Sequence, residues 1–404
     1  YKRQINGKRV GNDYLTPGLN DYRSYLRYQT YDVLPLLQKS NKLEVVLGDG
    51  LYKGRMGFDN HPGNIYGDSY LLCAKLVIVK KDGTKQVVKT GEDWKARPSE
   101  FSFSTIYDGE IRDANADTHS VTSVSLAEVS FHLVPQFNPT ITEQELLKPT
   151  LIHTPSGEEV LDFGQNMVGF ARFVCRETKG TKIHLQYGEI LQNGNFYREN
   201  LRSAKAELWY TASGKETTVD AFFTFYGFRY VKVEGMKKVN PDDFTGVVLH
   251  TGLEKTISVH SSSAELNQLI HNALWGQKGN FLDVPTDCPQ RDERLGWTGD
   301  SQVFARTACM NMNAKLFYKK YTKDLRADQV RFYDGLLPAF SPSLEGSARE
   351  GGAVWADAGT IIPMCVYEEY GDQSQLADDY PLMKDYVEAL IRNDVESLGG
   401  SHLV

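Results

Sequence analysis

The texture of the chain changes once, near residue 256, and that change limits the folds open to it. Before it, apolar or alternating segments at 43–49, 74–80 and 86–89 are separated by turn signals at Pro17-Gly18, Gly48-Asp49-Gly50, Pro62-Gly63, Asp82-Gly83 and Asp108-Gly109. Short strands closed by frequent turns predict antiparallel β structure rather than βαβ units. Asn6-Gly7, between alternating residues, predicts a hairpin at the start. Residues 136 to 255 repeat the texture, with strand candidates at 169–174, 182–187, 207–210 and 221–233. Pro139 and Pro149 flank a polar connection that reads as a linker.

After residue 256 the apolar spacing becomes helical. Ser262-Ser263-Ala264-Glu265 is a capping-box pattern ahead of Leu266, Leu269, Ile270, Ala273 and Leu274, which share one helix face. Further helices are predicted over 301–312, 314–330, 359–370 and 380–393. Helices that follow one another without strands indicate an all-α unit. The expectation is a multidomain β + α chain. A β-sandwich covers 1–135, a second β-sandwich 136–255, and a helical domain 256–404.

A net charge of −7 argues against nucleic acid or an anionic membrane as partner, because both call for a basic surface. No apolar run reaches the length of a membrane-spanning helix. Cys73, Cys175, Cys288, Cys309 and Cys365 are scattered and form no CxxC pair, so neither a disulfide framework nor a zinc site is expected. Reduced thiols fit the cytoplasm and equally allow the periplasm; no signal-peptide pattern is visible. Both ends read as interrupted. A hairpin starts at Tyr1 without a lead-in, and a helical pattern runs into Leu398-Gly399-Gly400 and stops.

Chemistry is concentrated between the first two predicted helices. Residues 283–300 hold four aspartates, one glutamate, two arginines and one tryptophan. Pro285, Pro289, Gly296 and Gly299 make the segment an ordered loop. Carboxylates at this density repel one another unless Arg291 and Arg294 compensate. A carboxyl pressed against other carboxylates or against the Trp297 ring would hold its proton to higher pH, as a general acid requires. A structural salt-bridge loop fits the same residues. A calcium or magnesium site is a third reading, although the spacing does not match an EF-hand.

The stretch D-x-P-T-D-C-P-Q-R-D-E-R-L-G-W-T-G-D, from Asp283 to Asp300, closely resembles the signature of bacterial α-L-rhamnosidases of glycoside hydrolase family 78. Its flanks agree. The segments 5–11, 28–33, 47–52 and 106–110 look like the family's amino-terminal β domain. Those at 161–166 and 225–230 look like its following β-sandwich, and 353–358 resembles a later barrel loop. The resemblance implies an (α/α)6 barrel as catalytic domain and hydrolysis of terminal α-L-rhamnosides with inversion. Its general acid falls at Glu293. Asp287, Arg291, Asp292 and Asp300 fall at positions that bind rhamnose hydroxyls, and Trp297 and Trp355 at positions that line the sugar pocket. Partners would be rhamnose-containing oligosaccharides, glycosides or polysaccharides.

The family's general base belongs to a much later barrel loop. A barrel of six helix pairs needs about 200 residues even with short loops, more than follow residue 256. This stretch is therefore expected to hold only the first part of the barrel and to be inactive alone. Catalysis requires no cofactor in this reading. Some family members carry a calcium-dependent rhamnose-binding module in the first β region, where Asp59, Asn60 and Asp108 are oxygen ligands of a suitable type or ordinary turn residues. Two alternatives stay open: another barrel enzyme such as an inverting phosphorylase, and a carbohydrate-binding protein without catalysis.

Overall fold

The computed structural model describes residues 1–58, 63–128 and 132–402. Strands dominate up to Thr251 and helices dominate from Ala264 onward. Asn6 and Gly7 take positive φ, 53° and 76°, and turn Lys2–Ile5 back onto Lys8–Arg9 as that pair predicts.

The main sheet has ten strands. Its path runs Ile141–Leu147, Phe244–Thr251, Glu159–Cys175, Tyr226–Glu234, Lys182–Gly188, Glu207–Thr211, Gly109–Asp113 and Phe101–Thr105. Thr150–His153 and Thr217–Val219 pair with Glu159–Cys175 off this path. Glu207–Thr211 and Gly109–Asp113 run parallel. Strands from 101–113, which the sequence texture groups with the first region, thus complete the sheet of the second. A pairing across that separation leaves no local pattern in the chain. Gly169, at φ 148°, passes so close to Val247 that a Cβ would stand 1.8 Å from its carbonyl oxygen, so only glycine fits.

A single-turn helix, α1 (Gly50–Lys53), precedes five longer ones: α2 (Ala264–Asn280), α3 (Thr298–Asn311), α4 (Lys315–Phe332), α5 (Ala358–Tyr370) and α6 (Gln373–Leu398). The N-cap of α2 is Ser263, whose hydroxyl accepts the Leu266 N–H at 3.2 Å, one residue later than the capping-box reading placed it. Helix α6 begins well before Tyr380 because Asp372 accepts the N–H groups of Ser374 and Gln375. Pro381 inside it removes one backbone bond. Leu382, Tyr386 and Ala389, buried on one stripe, offset that loss.

One hydrophobic cluster runs from Tyr14, Leu15 and Leu19 through the sheet to Leu282, Val284, Leu295 and Phe340. A second lies among the helices. The loop after α2 is thus packed into the core of the β part. Asp283 fixes it there. Its Oδ1 accepts Arg27 Nη1 at 2.8 Å and Asn138 Nδ2 at 3.1 Å. Its Oδ2 accepts Arg27 Nη2 at 2.5 Å and the Leu19 N–H at 2.7 Å, and lies 3.5 Å from Lys320 Nζ of α4. Burial alone would push this carboxyl up, but Arg27 and Lys320 hold it well below the usual carboxylate range.

Two predictions follow from these buried carboxylates. Asp283→Asn leaves the buried Arg27 guanidinium without a carboxylate, Lys320 keeping Asp324 at 2.7 Å, and should lower unfolding free energy by about 3–5 kcal/mol in equilibrium urea titration; a loss under about 1 kcal/mol contradicts the assignment. Glu110 is the opposite case. Its Oε1 accepts the Phe222 N–H at 2.8 Å and the Phe223 N–H, and burial pushes the carboxyl up to about 7 against those bonds. A raised carboxyl pKa means stability is lost as pH rises from about 4.3 through about 7. Glu110→Gln should flatten that slope, worth at most about 4 kcal/mol, in urea titrations repeated across this range.

Candidate active site

The loop closes on itself and is then pinned to the sheet. Thr286 N–H donates to the Asn280 carbonyl at 2.7 Å and Asp287 N–H to the Leu295 carbonyl at 3.2 Å. Cys288 and Arg294 hold positive φ, 52° and 51°, without being glycine. Such strain persists only where the surroundings impose it. Arg294 supplies the reason on its side. It is 2% exposed and donates to the carbonyls of Ile106, Phe225 (2.8 Å) and Arg291 (3.3 Å). Its guanidinium also lies 4.5 Å from the Phe225 ring centre. Burial lowers its pKa to about 10. Arg294 is therefore an anchor onto backbone carbonyls, not the carboxylate partner that composition suggested. Tyr107 completes the clamp: its hydroxyl donates to the Glu293 carbonyl at 2.7 Å and accepts the Gly57 N–H at 2.9 Å.

Glu293 is 4% exposed. Its Oε1 accepts Trp297 Nε1 at 2.8 Å. Its Oε2 accepts Arg202 Nη2 at 2.6 Å and Arg291 Nε at 3.1 Å. Asp287 is half-buried beside it and takes the Cys288 thiol at 3.0 Å. Burial, then Asp287, push that thiol up to about 12, so it stays a neutral donor. Oxygen and sulfur atoms of Asp287, Cys288 and Glu293 lie within 4.8 Å of one another. Asp300, in the first turn of α3, remains exposed. Partial burial and the charges of Asp287 and Glu293 raise its carboxyl above the usual range.

An aromatic wall stands over these acids. Trp297 meets Trp355 edge to face at 5.4 Å between ring centres, Phe340 at 5.3 Å and Phe58 at 5.7 Å. Gly299 lets Trp355 come down onto α3, since a Cβ there would lie 2.7 Å from the indole. Carboxylates beside indole faces make a surface with both polar and apolar contacts for a small ligand.

Of the residues singled out in the sequence, Asp287, Arg291, Glu293, Trp297, Asp300 and Trp355 share this neighbourhood. Asp292 is placed differently. It is 1% exposed, Ser203 donates to its Oδ2, and Arg202 Nε sits 2.8 Å from its Oδ1. Its carboxylate is consumed in holding the loop and is not presented to a sugar hydroxyl. Asp59 and Asn60 lie outside the described residues. Asp108 faces Arg55 at 2.9 Å and 3.3 Å and accepts the Lys205 N–H at 3.2 Å. A carboxylate so paired does not fit a calcium ligand, and no step is drawn through calcium. Arg202, Ser203, Tyr107 and Phe58 escaped the sequence reading. They come from a polar stretch and turns whose pairing to residues 292, 293 and 297 leaves no mark on spacing.

The raised Asp300 carboxyl gives a direct check. In carboxyl-resolved NMR titration, Asp287→Asn removes one of the charges that raise it, so the Asp300 midpoint should fall toward the ordinary ~3.9. An unchanged midpoint means Asp287 does not face it.

The chain was compared with known proteins. The model for the alpha-L-rhamnosidase N-terminal domain matches residues 1–149. That for the bacterial alpha-L-rhamnosidase concanavalin-like domain matches 152–250, and that for the 6 hairpin glycosidase domain matches 254–403. An alpha-L-rhamnosidase of Streptomyces avermitilis is 39% identical over 399 residues, covering 94% of this chain and 38% of that protein. One from Formosa agariphila is 33% identical over 405 residues, covering 95% and 43%. The crystal structure of the Streptomyces avermitilis α-L-rhamnosidase complexed with L-rhamnose superposes with a TM-score of 0.92 at 36% identity, covering 97% of this chain and 39% of that one. The native α-L-rhamnosidase of Aspergillus terreus gives 0.91 at 34% identity, covering 96% and 47%. The chain thus spans between 38% and 45% of the length of the curated relatives it matches. No helix among the described residues is long and apolar enough to cross a membrane.

Proposed function

The chain belongs to the bacterial α-L-rhamnosidases, and on that premise we propose that it serves the hydrolysis of terminal non-reducing α-L-rhamnosides, with Glu293 protonating the departing oxygen. One observation carries this reading: Glu293 is a buried carboxyl held on both oxygens beside an acidic floor and an indole wall. Arg202 and Arg291 fix one of its oxygens, and a carboxyl held in place in this way is positioned to give up a proton as negative charge develops on a leaving oxygen. Asp287 and Asp300 would take rhamnose hydroxyls, Arg291 would span Glu293 and the sugar, and Trp297 and Trp355 would cover its methyl and ring face. Asp292 supports Arg202 in this scheme.

The proposed reaction inverts the anomeric centre. That requires a second carboxylate roughly 6.5–9.5 Å from the acid, with water between them. This role is not assigned to any residue of the chain. The helices are read as the opening part of an (α/α)6 barrel. Support comes from their uncovered apolar side chains, among them Val303, Val330, Val387, Ile391 and Val395, all exposed, which further helices would cover. Two β-sandwich units ahead of the barrel agree with family matches that meet near 150 and 252. Rhamnose-bearing oligosaccharides, glycosides or polysaccharides are the substrates this site suits.

The test is Glu293→Gln in the full-length protein. On alkyl rhamnosides, whose leaving group needs a proton, kcat/KM should fall by about 10²–10⁴. On a nitrophenyl rhamnoside, whose leaving group does not, the loss should be far smaller. Equal losses on both, or no loss on either, would remove Glu293 from the acid role, and no turnover of either substrate by the unaltered protein would point to a carbohydrate-binding protein.

A further inference from the structure

Arg202 stands apart from the other cations near the site. It belongs to the β part, at the end of the short helical turn Glu199–Leu201, with φ 55° and ψ −120°. A non-glycine residue holds that conformation only where its surroundings over-determine it. Its side chain is 36% exposed, yet it ends on two carboxylates that are 1% and 6% exposed. Nη2 is shared between Glu293 Oε2 at 2.6 Å and the Asp292 carbonyl at 2.7 Å, while Nε faces Asp292 Oδ1 at 2.8 Å. Phe58 lies 5.5 Å from the guanidinium. The adjoining Ser203 hydroxyl holds the other Asp292 oxygen, and Arg55 holds Ser203 at 3.0 Å. The chain from Arg55 to Arg202 therefore presents one rigid fork to the loop.

The two oxygens of Glu293 are unequal as a result. A carboxylate oxygen has two lone-pair positions. On Oε2 both are taken, by Arg202 and Arg291. On Oε1 one is taken, by the Trp297 indole, and one stays open. We propose that Arg202 is a positioning residue for Glu293: with Arg291 it makes Oε2 the fixed acceptor, so that the acid proton resides on Oε1, beside Trp297, and is delivered from there. This inference rests on the acid role proposed above. Among the described residues, the charged or titratable groups that face Glu293 are Arg202, Arg291, Asp287, Asp300 and the Cys288 thiol, with Asp292 on the far side of the shared Arg202. Of these, only Arg202 reaches it from the β part. Arginine suits the task and lysine does not, because one planar fork must serve two carboxylates and a carbonyl together.

The experiment compares wild type, Arg202→Met and Arg202→Lys in the full-length protein by two readouts. The first needs no substrate: the pH dependence of Trp297 emission, taken as the difference from Trp297→Phe. Losing the cation favours the protonated carboxyl, so the midpoint should move up by about one unit in R202M and stay near wild type in R202K. The second is kcat/KM on alkyl and nitrophenyl rhamnosides. R202M and R202K should both lose about tenfold more on the alkyl glycoside, because neither keeps the fork. Circular dichroism confirms folding, and R202Q replaces R202M if that variant does not fold. An unmoved emission midpoint, or equal losses on the two substrates, overturns the positioning role and leaves Arg202 a tether. Failure of the rhamnosidase reading looks different: wild type then splits neither substrate although the midpoint shift persists.

Discussion

A carboxylate buried between two cations from distant parts of the chain holds this structure in register. Asp283 receives Arg27 from the first β region and Lys320 from α4, and all three side chains are buried. Ions taken out of water are costly unless each finds its partner, so the fold is committed to bringing these three segments together. The loop that begins at Asp283 then starts inside the molecule. At its other end Arg294 and Tyr107 bind it to carbonyls and amides of the β part. Asp287, Arg291 and Glu293 lie between two fixed points, and their geometry follows from the β part and the helices at once.

Charge balance explains why so many carboxylates can crowd into that span. Asp292 pairs with Arg202 and accepts the Ser203 hydroxyl, and Glu293 is held by Arg202 and Arg291. Cys288 stays a neutral thiol that donates to Asp287. The charge left over falls on Asp287 and on Asp300, whose carboxyl is raised by partial burial and by its acidic neighbours. These two are also the less buried acids of the group, and so the ones able to meet a polyol. The indoles of Trp297 and Trp355 bound the same space. Support and recognition are therefore divided among residues of identical type by how deeply each is set.

Much of this division was visible in the sequence, and the remainder was hidden for physical reasons. The change of texture near 256 and the Asn6-Gly7 turn are local properties and read correctly. The motif from 283 to 300 pointed to the candidate site because its residues are contiguous. Asp292 looked equivalent to Asp287, since composition does not record which carboxylate turns inward. Arg294 looked like a counter-ion, since nothing in the chain shows that Ile106 and Phe225 offer it carbonyls. Arg202 was invisible because its importance lies in a positive φ and a contact 91 residues away. Contacts of that range depend on the assembled sheet, which also recruits strands at 101–113 from across a region boundary.

The central claim is that Glu293, held by Arg202 and Arg291 on one oxygen, offers the other to the bond being broken. A crystal structure of the full-length protein with L-rhamnose bound tests it most directly. The account predicts the oxygen of the α-anomer, which stands where the leaving oxygen does, within hydrogen-bond reach of Glu293 Oε1, about 2.6–3.2 Å, with both arginines still on Oε2 and Asp287 and Asp300 on the hydroxyls. A sugar bound elsewhere, or a Glu293 whose Oε1 faces only protein while rhamnose occupies the site, would contradict it.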